Sequence, residues 1–273
     1  MATMSELVGH YASDGLTARI VDALNAAGVD LATVGRSALA GVDEFHLGGH
    51  RATLEVAAAL DATAHDHIVD LGSGIGGAAR HLAATARCRV TGIDLTPAFV
   101  DTATDLTDLV GMSDRVGFRV GSATDIPADD DTFDAATLLH VGMNIADKAA
   151  LAVEAARVLR PGGRFVVYDI MRVGPGDITY PVPWASSAEW SFLDQPAAYV
   201  QALERAGFDV DAPRDLTDLV LEVLAAARAS GPPPATLATL MGPDFPTMIG
   251  NLVPLLHQGT LAPTLIRATR PAV

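Results

Sequence analysis

From residue 67 onward the chain alternates short apolar runs with segments of helical period, and few architectures tolerate that rhythm. The runs are His67–Leu71, Arg89–Asp94, Val116–Val120, Phe133–His140 and Arg164–Asp169. Strands that are apolar on both faces must be covered on both sides. Their alternation with helices reads as a doubly wound, mainly parallel α/β sheet. Lys148–Leu159 illustrates a covering helix, with Leu151, Ala155, Val158 and Leu159 on one face. Residues 1–62 read as a helical N-terminal segment. There Leu16, Ile20 and Leu24 recur after Asp14, a fair N-cap, with Gly28 as a stop, and a second helix runs from about Arg51 to Leu60. After Asp169 the rhythm breaks. Residues 172–194 hold both tryptophans and show no period. A helix over Pro196–Ala206 and a sixth strand at Phe208–Val210 follow. Next comes a helical stripe of Leu216, Leu219, Val220, Val223, Leu224 and Ala227, broken by Pro232-Pro233-Pro234. A last helix, roughly Asp244–His257, precedes a closing strand at Thr264–Thr269.

Charge and cysteine usage exclude several functions. Lys plus Arg is 18 against 33 Asp plus Glu, a net charge of −15 with no basic run, so nucleic acid is not expected as a partner. Hydrophobic residues make up 49% of the 273, ample for a core. Cys88 is the single cysteine, which leaves no disulfide framework or cysteine-based zinc site and suggests a buried, inert thiol. The N-terminus lacks the basic and apolar regions of a signal peptide, and no stretch approaches the ~20 apolar residues of a membrane span. A cytoplasmic protein without membrane partners is expected.

The central motif is Val69-Asp70-Leu71-Gly72-Ser73-Gly74-Ile75-Gly76-Gly77, at a strand end and opening a helix. Glycines let a ligand approach the backbone, and the helix N-terminus offers free N–H groups, so this is a nucleotide-type cofactor loop. Gly72, Gly74 and Gly77 satisfy the dinucleotide pattern G-x-G-x-x-G. Asp70 counts against a dinucleotide, because a carboxylate there repels a pyrophosphate and suits an ammonium group. Asp94, at the end of the second run, is placed to accept ribose hydroxyls of either cofactor.

Asp70–Gly76 resembles the first motif of class I S-adenosylmethionine-dependent methyltransferases, and Gly92-Ile93-Asp94-Leu95-Thr96-Pro97 resembles the second. Arg157–Phe165, with Arg160-Pro161-Gly162-Gly163, is similar to that family's segment before the fifth strand. The resemblance implies a Rossmann-like seven-stranded sheet with a reversed last strand, and S-adenosylmethionine as cofactor with no metal. It implies that Asp70, Gly72 and Gly74 line the methionine end, Asp94 holds the ribose and Leu95 packs on the adenine, with Leu139 also at the cofactor. Ser122 and Ala123 match the adenine-edge motif, although Ser122 stands where the family usually has Asp or Asn, leaving the backbone N–H of Ala123 for that contact. The chain then reads as one methyltransferase domain over 1–273. It comprises an N-terminal lid (1–62), a cofactor core (63–171), cap segments (172–194 and 212–262) and a closing strand (263–273). The cap replaces what is normally a short hairpin.

Leu138–Lys148, Pro181–Ala185 and Phe192-Leu193 extend the resemblance to a small-molecule branch that includes sarcosine/dimethylglycine and tocopherol-type methyltransferases. Members methylate N, O or C atoms, so the acceptor is not inherited. The expected reaction is transfer to N or O of a small molecule; alternatives are a C-methyltransferase, an NAD(P)-dependent oxidoreductase and a non-catalytic cofactor-binding protein. His140, at the carboxyl end of a central strand, is the first candidate base, with packing on the cofactor rim as the other reading. His46 is a second candidate, and His50 shares its loop; either closes over the reacting centre or is solvated. His65 and His67 flank Asp66, a spacing that suggests a metal site but is better explained by a surface turn before the first strand, and Asp169 either touches substrate or makes a structural hydrogen bond. Candidate acceptor contacts are Met143, Asn144, Trp184, Trp190, Phe192 and Arg172, the last either as partner for a substrate carboxylate or as a solvated loop residue. Tyr180, Met241, Phe245, Met248, Leu252 and Leu255 form either ordinary core or an apolar acceptor pocket.

Overall fold

The computed structural model describes residues 15–44, 46–230 and 242–272. Asp14, the Pro232–Pro234 break and Met241 lie outside the described residues.

One mixed sheet organises the chain. Its strands are β1 (His67–Leu71), β2 (Arg89–Asp94), β3 (Val116–Val120), β4 (Phe133–Leu139), β5 (Leu159–Arg172), β6 (Asp209–Val210), β7 (Arg214–Asp215) and β8 (Leu261–Thr269). The order is β3-β2-β1-β4-β5-β8-β6, with β7 also pairing β8. β1 to β5 are parallel, whereas β8 runs antiparallel to β5, β6 and β7. This is the doubly wound sheet with a reversed closing strand that the resemblance implies. Strand order reverses between β1 and β4, and such a switch point opens a crevice beyond the carboxyl ends of the strands.

Side-chain alternation builds a core on each face. Val69 of β1 and Phe165 and Val167 of β5 face one core, which includes Leu151 and Ala155 of α6 (Lys148–Val158) and Tyr199 and Leu203 of α7 (Pro196–Arg205). Ile68, Val166 and Tyr168 face the other, with Val56 and Leu60 of α3 (Gly49–Leu60) and Ala79 and Leu82 of α4 (Gly77–Ala86). Cys88 is buried in that second core and donates to the Leu82 carbonyl, and burial pushes its thiol up to about 11. The N-terminal helix α1 (Leu16–Ala26) buries Leu16, Ile20 and Leu24 against Phe99 and Leu106 of α5 (Pro97–Leu109). Between them the short α2 (Ala40–Asp43) lies against α4. Over the carboxyl end of the sheet, Val182 and Trp184 pack with Val220 of α8 (Thr217–Ser230) and Leu252, Leu255 and Leu256 of α9 (Phe245–His257).

Two details depart from the sequence reading. β5 begins at Leu159, before the Pro-Gly-Gly turn, because a register irregularity opposite Phe133 and Ala135 lets the strand pair through it. β7 was not anticipated; two exposed residues carry no periodic signal.

Candidate active site at the carboxyl ends of the strands

The glycine loop connects β1 to α4. Gly72 takes φ +73°, and a Cβ there would overlap the Val141 side chain at 2.2 Å. At Gly77 a Cβ would fall 1.8 Å from the Asp43 carbonyl oxygen, so α2 approaches the start of α4 as closely as only glycine permits. Asp94, at the end of β2, ties the loop down: one carboxylate oxygen accepts from Gly74 N (2.8 Å) and the other from Thr96 N (2.9 Å). Burial raises the Asp94 carboxyl above the usual range, with those backbone bonds opposing. Asp70 is also buried. Its Oδ1 accepts from Thr137 Oγ1 at 2.8 Å, while Oδ2 has no partner. Burial pushes this carboxyl up to about 6, with Thr137 opposing and Asp94 reinforcing.

A cavity of about 360 Å³ opens over these residues. Asp70, Gly72, Gly74, Asp94, Leu95, Ser122, Ala123 and Leu139, the expected cofactor set, all line it. The Ser122 hydroxyl is turned into its own loop, 2.9 Å from Thr124 Oγ1 and accepting from Thr124 N, while Ala123 remains on the wall. Buried polar atoms rarely lack partners. Among the described residues five do, and four of them, Asp43 Oδ2, Asp70 Oδ2, Ser73 Oγ and His140 Nε2, belong to residues on this wall. Such clustering suits a polar ligand with cationic and hydroxyl groups. The donors fit S-adenosylmethionine: Asp70 for the ammonium, Asp94 for the ribose, and Leu95 and Ala123 at the adenine end.

His140 and His46 meet at the other end. His140 follows β4 with φ +53°, a conformation that costs about 1–3 kcal/mol for a residue with a side chain, and its N–H donates to Tyr168 O at 2.7 Å. Its ring lies 4.9 Å from that of Tyr168 and 5.9 Å, edge-on, from that of His46. Burial, then His46, hold His140 well below the ordinary imidazole range. Burial and His81 push His46 down to about 4, against a backbone hydrogen bond with Gly49. Both rings are therefore neutral at pH 7. His50 stands apart on α3 with its side chain 56% exposed. His65 is exposed, and His67 pairs with Thr91 Oγ1 at 2.8 Å; neither reaches the cavity.

The acceptor contacts divide. Met143 and Trp184 line the cavity with Leu47, Ile170, Phe245 and Leu252. Asn144 also lines it, and its amide donates to Trp184 O at 2.8 Å, fixing the cap loop. Trp190, Phe192 and Arg172 do not line it. Trp190 is half-buried in the cap core, and Phe192 is 37% exposed, its N–H donating to Met143 O. Arg172 Nη1 is bonded to Gly176 O, so its guanidinium is folded into the loop after β5. Met248 and Leu255 are core residues, whereas Phe245 and Leu252 of the same helix reach the cavity. Tyr180 packs against the cap core. Asp169 serves structure: it is fully buried, accepts from Tyr199 Oη at 2.6 Å and is absent from the wall.

Sequence reasoning missed Asp43 and Thr137. Asp43 lines the cavity and forms a 2.5 Å ion pair with fully buried Arg80 of α4. Among the described residues no group of three or more His, Cys, Asp or Glu is arranged to hold a metal ion, and no helix is long and apolar enough to cross a membrane.

Residues 69–167 match the family model described as "Methyltransferase domain". Methyltransferase GfsG of Streptomyces halstedii is 30% identical over 70% of this chain and 67% of its own length. The chloroplastic tocopherol O-methyltransferase of Arabidopsis thaliana is 36% identical over 37% of this chain, which spans only 29% of that enzyme. Among solved structures, geranyl diphosphate C-methyltransferase from Streptomyces coelicolor A3(2), in complex with Mg2+, geranyl diphosphate and S-adenosyl-L-homocysteine, superposes with a TM-score of 0.66. It is 23% identical and matches over 80% of this chain and 76% of its own, a likeness of fold. With the sheet order, the loop chemistry and a relative matched over two thirds of its length in agreement, the chain belongs to the class I S-adenosylmethionine-dependent small-molecule methyltransferases.

Proposed function

We propose that this chain binds S-adenosylmethionine along β1 and β2 and methylates an oxygen or nitrogen atom of a small acceptor held under the cap. When bound, the cofactor supplies a methyl group on a cationic sulfur, open to in-line attack. The observation that carries the reading is the neutral pair His140–His46 at the acceptor end of the cavity. A neutral imidazole has a lone pair for the proton of a hydroxyl or amine nucleophile, and a positioned base contributes typically ~10²–10⁴-fold. Asp70 and Asp94 anchor the cofactor's cationic and hydroxyl groups, and the apolar wall of Leu47, Met143, Ile170, Trp184, Phe245 and Leu252 excludes water and orients the acceptor. Charge argues against an anionic acceptor. Among the described residues the wall carries Asp43, Asp70, Asp94 and Asp147 and no Lys or Arg.

Methyl transfer from labelled S-adenosylmethionine into a panel of hydroxyl, amine and carbon acceptors tests this reading. Label on oxygen or nitrogen is expected, with His140→Ala lowering turnover while leaving S-adenosylhomocysteine affinity unchanged in calorimetry. Label on carbon alone, or binding of NAD(H) in place of S-adenosylhomocysteine, overturns it.

A further inference from the structure

We propose that Thr53, Glu44 and His50 form a proton exit that drains the acceptor end of the cavity to solvent through His46. The proposal rests on the reading of His140 and His46 as the groups that face the acceptor.

Methylation of a hydroxyl releases one proton. The oxygen lone pair forms the O–CH3 bond, the methyl–sulfur bond breaks with its electron pair going to sulfur, and the O–H proton has to leave. It cannot rest where it is taken. His140 and His46 are buried, and the burial that keeps them neutral makes an imidazolium there costly.

A continuous set of hydrogen-bonding groups leads away from His46. His46 Nε2 lies 3.0 Å from Thr53 Oγ1, and Thr53 Oγ1 lies 2.5 Å from Glu44 Oε2. Glu44 Oε1 lies 3.4 Å from His50 Nδ1, and the His50 side chain is 56% exposed. The direction of these bonds follows from valence. With Glu44 ionised, its carboxylate only accepts, so the single Thr53 hydroxyl hydrogen goes to Glu44 and His46 Nε2 carries the hydrogen donated to Thr53, while the hydrogen bond of the His46 ring with the Gly49 backbone favours the ring that has taken up a second hydrogen. A proton arriving at the other nitrogen of His46 therefore releases the Nε2 proton to Thr53 Oγ1, whose own proton passes to Glu44. Glu44 hands it to His50 and thence to water, and each group regains its starting form after the rings and hydroxyl reorient. Thr53 is 1% exposed, so bulk water does not replace it.

The surroundings favour this direction of flow. Burial raises the Glu44 carboxyl above the usual range, with Thr53 and His50 opposing and Asp43 reinforcing, so Glu44 takes up a proton readily. Tyr168 and His140 face His46 from the sheet, and His81 of α4 faces both His46 and His50. Arg36 Nη1 lies 3.2 Å from His81 Nδ1, which adds a positive charge behind His81 that disfavours storing the proton on that side. Thr53 and His50 stand three residues apart on α3, so one rigid helix carries both the buried and the exposed end of the path.

The test is Thr53→Val, which keeps the side-chain shape and removes the hydroxyl. With a hydroxyl acceptor its kcat is expected to fall about tenfold or more, part of the ~10²–10⁴-fold available to base catalysis. KM and S-adenosylhomocysteine affinity should be unchanged, Thr53→Ser should restore the rate, and an acceptor with no proton on its attacking atom should be methylated equally by both proteins. Glu44→Gln, which still accepts from Thr53 but cannot relay a proton, should be slowed in the same way and serves if the valine variant does not fold. Imidazole nitrogen NMR of the unliganded protein supplies a readout independent of turnover: His46 should carry its hydrogen on Nε2. A Thr53→Val enzyme that methylates a hydroxyl acceptor at the parent rate, or a His46 without hydrogen on Nε2, overturns the exit path. If the parent transfers methyl to neither oxygen nor nitrogen, the function proposed above fails and the NMR arm alone decides the path.

Discussion

The Asp43–Arg80 pair fastens the N-terminal segment to the cofactor loop, and its removal has a calculable cost. Arg80 is fully buried on α4, 2.5 Å from Asp43 Oδ1. Its other contacts are Thr107 Oγ1 at 3.0 Å and the Ala103 carbonyl at 3.4 Å, while Nε has no partner. Asp43→Ala leaves that guanidinium buried with two neutral acceptors. At ~4 Å between charge centres and an effective dielectric of ~20, the lost attraction is about 4 kcal/mol. That agrees with the ~3–5 kcal/mol typical of breaking one side of a buried pair. For a chain of this size each kcal/mol shifts Tm by ~2–4 °C, so a drop of roughly 10 °C is expected in scanning calorimetry. The double variant Asp43→Leu/Arg80→Met replaces both charges with apolar volume and should recover most of the loss. A single variant that melts within about 2 °C of the parent refutes the reasoning.

Two other predictions concern pH. Asp70 is held near 6 by burial, so cofactor binding through its charged form should weaken about tenfold per pH unit below 6, and Asp70→Asn should abolish that dependence in calorimetry between pH 5 and 7.5. Burial pushes Asp169 up to about 7, so the folded state holds a proton that the unfolded state releases near its ordinary pKa. Stability should accordingly fall as pH rises from about 4 to 7 and level off above, by a few kcal/mol at most, and Asp169→Asn should flatten the slope in urea melts.

Most of the parallel strands were legible because they are covered on both faces and therefore largely apolar, β3 at the sheet edge with only Val116 buried being the exception, and because the turns after β1 and β3 begin with glycine, at Gly72 and Gly121. The cavity wall proposed to take the cofactor was legible for a related reason: a glycine loop and two strand-terminal carboxylates are local signals. What failed was long-range. Asp43 and Arg80 are 37 residues apart, and neither has a local pattern that names its partner. Trp190 and Phe192 stand out by composition and Arg172 by its place past the fifth strand, but in an aperiodic loop neither signal gives direction. Bonds to backbone carbonyls fix the loop there: Phe192 N donates to Met143 O, and the Arg172 side chain closes on Gly176 O. Thr53 looked like any helix residue, since only Glu44 and His46, brought back over it by the loop, give its hydroxyl a purpose.

The distribution of charge around the cavity explains why its two ends need different side chains. At the cofactor end the ligand brings positive charge, so buried carboxylates with an unfilled oxygen are useful, and Asp70 remains costly until that charge arrives. At the acceptor end a fixed carboxylate would hold the proton released on transfer inside the cavity, and a fixed cation would repel the incoming sulfonium. Neutral imidazoles avoid both penalties, but only while they are buried deeply enough to stay neutral. That same burial makes them poor final resting places for a proton. A closed, apolar acceptor pocket with a histidine base therefore requires a way out that does not pass through the acceptor. In this fold the way out runs along the first turns of α3, the helix that packs over β4, β5 and β8.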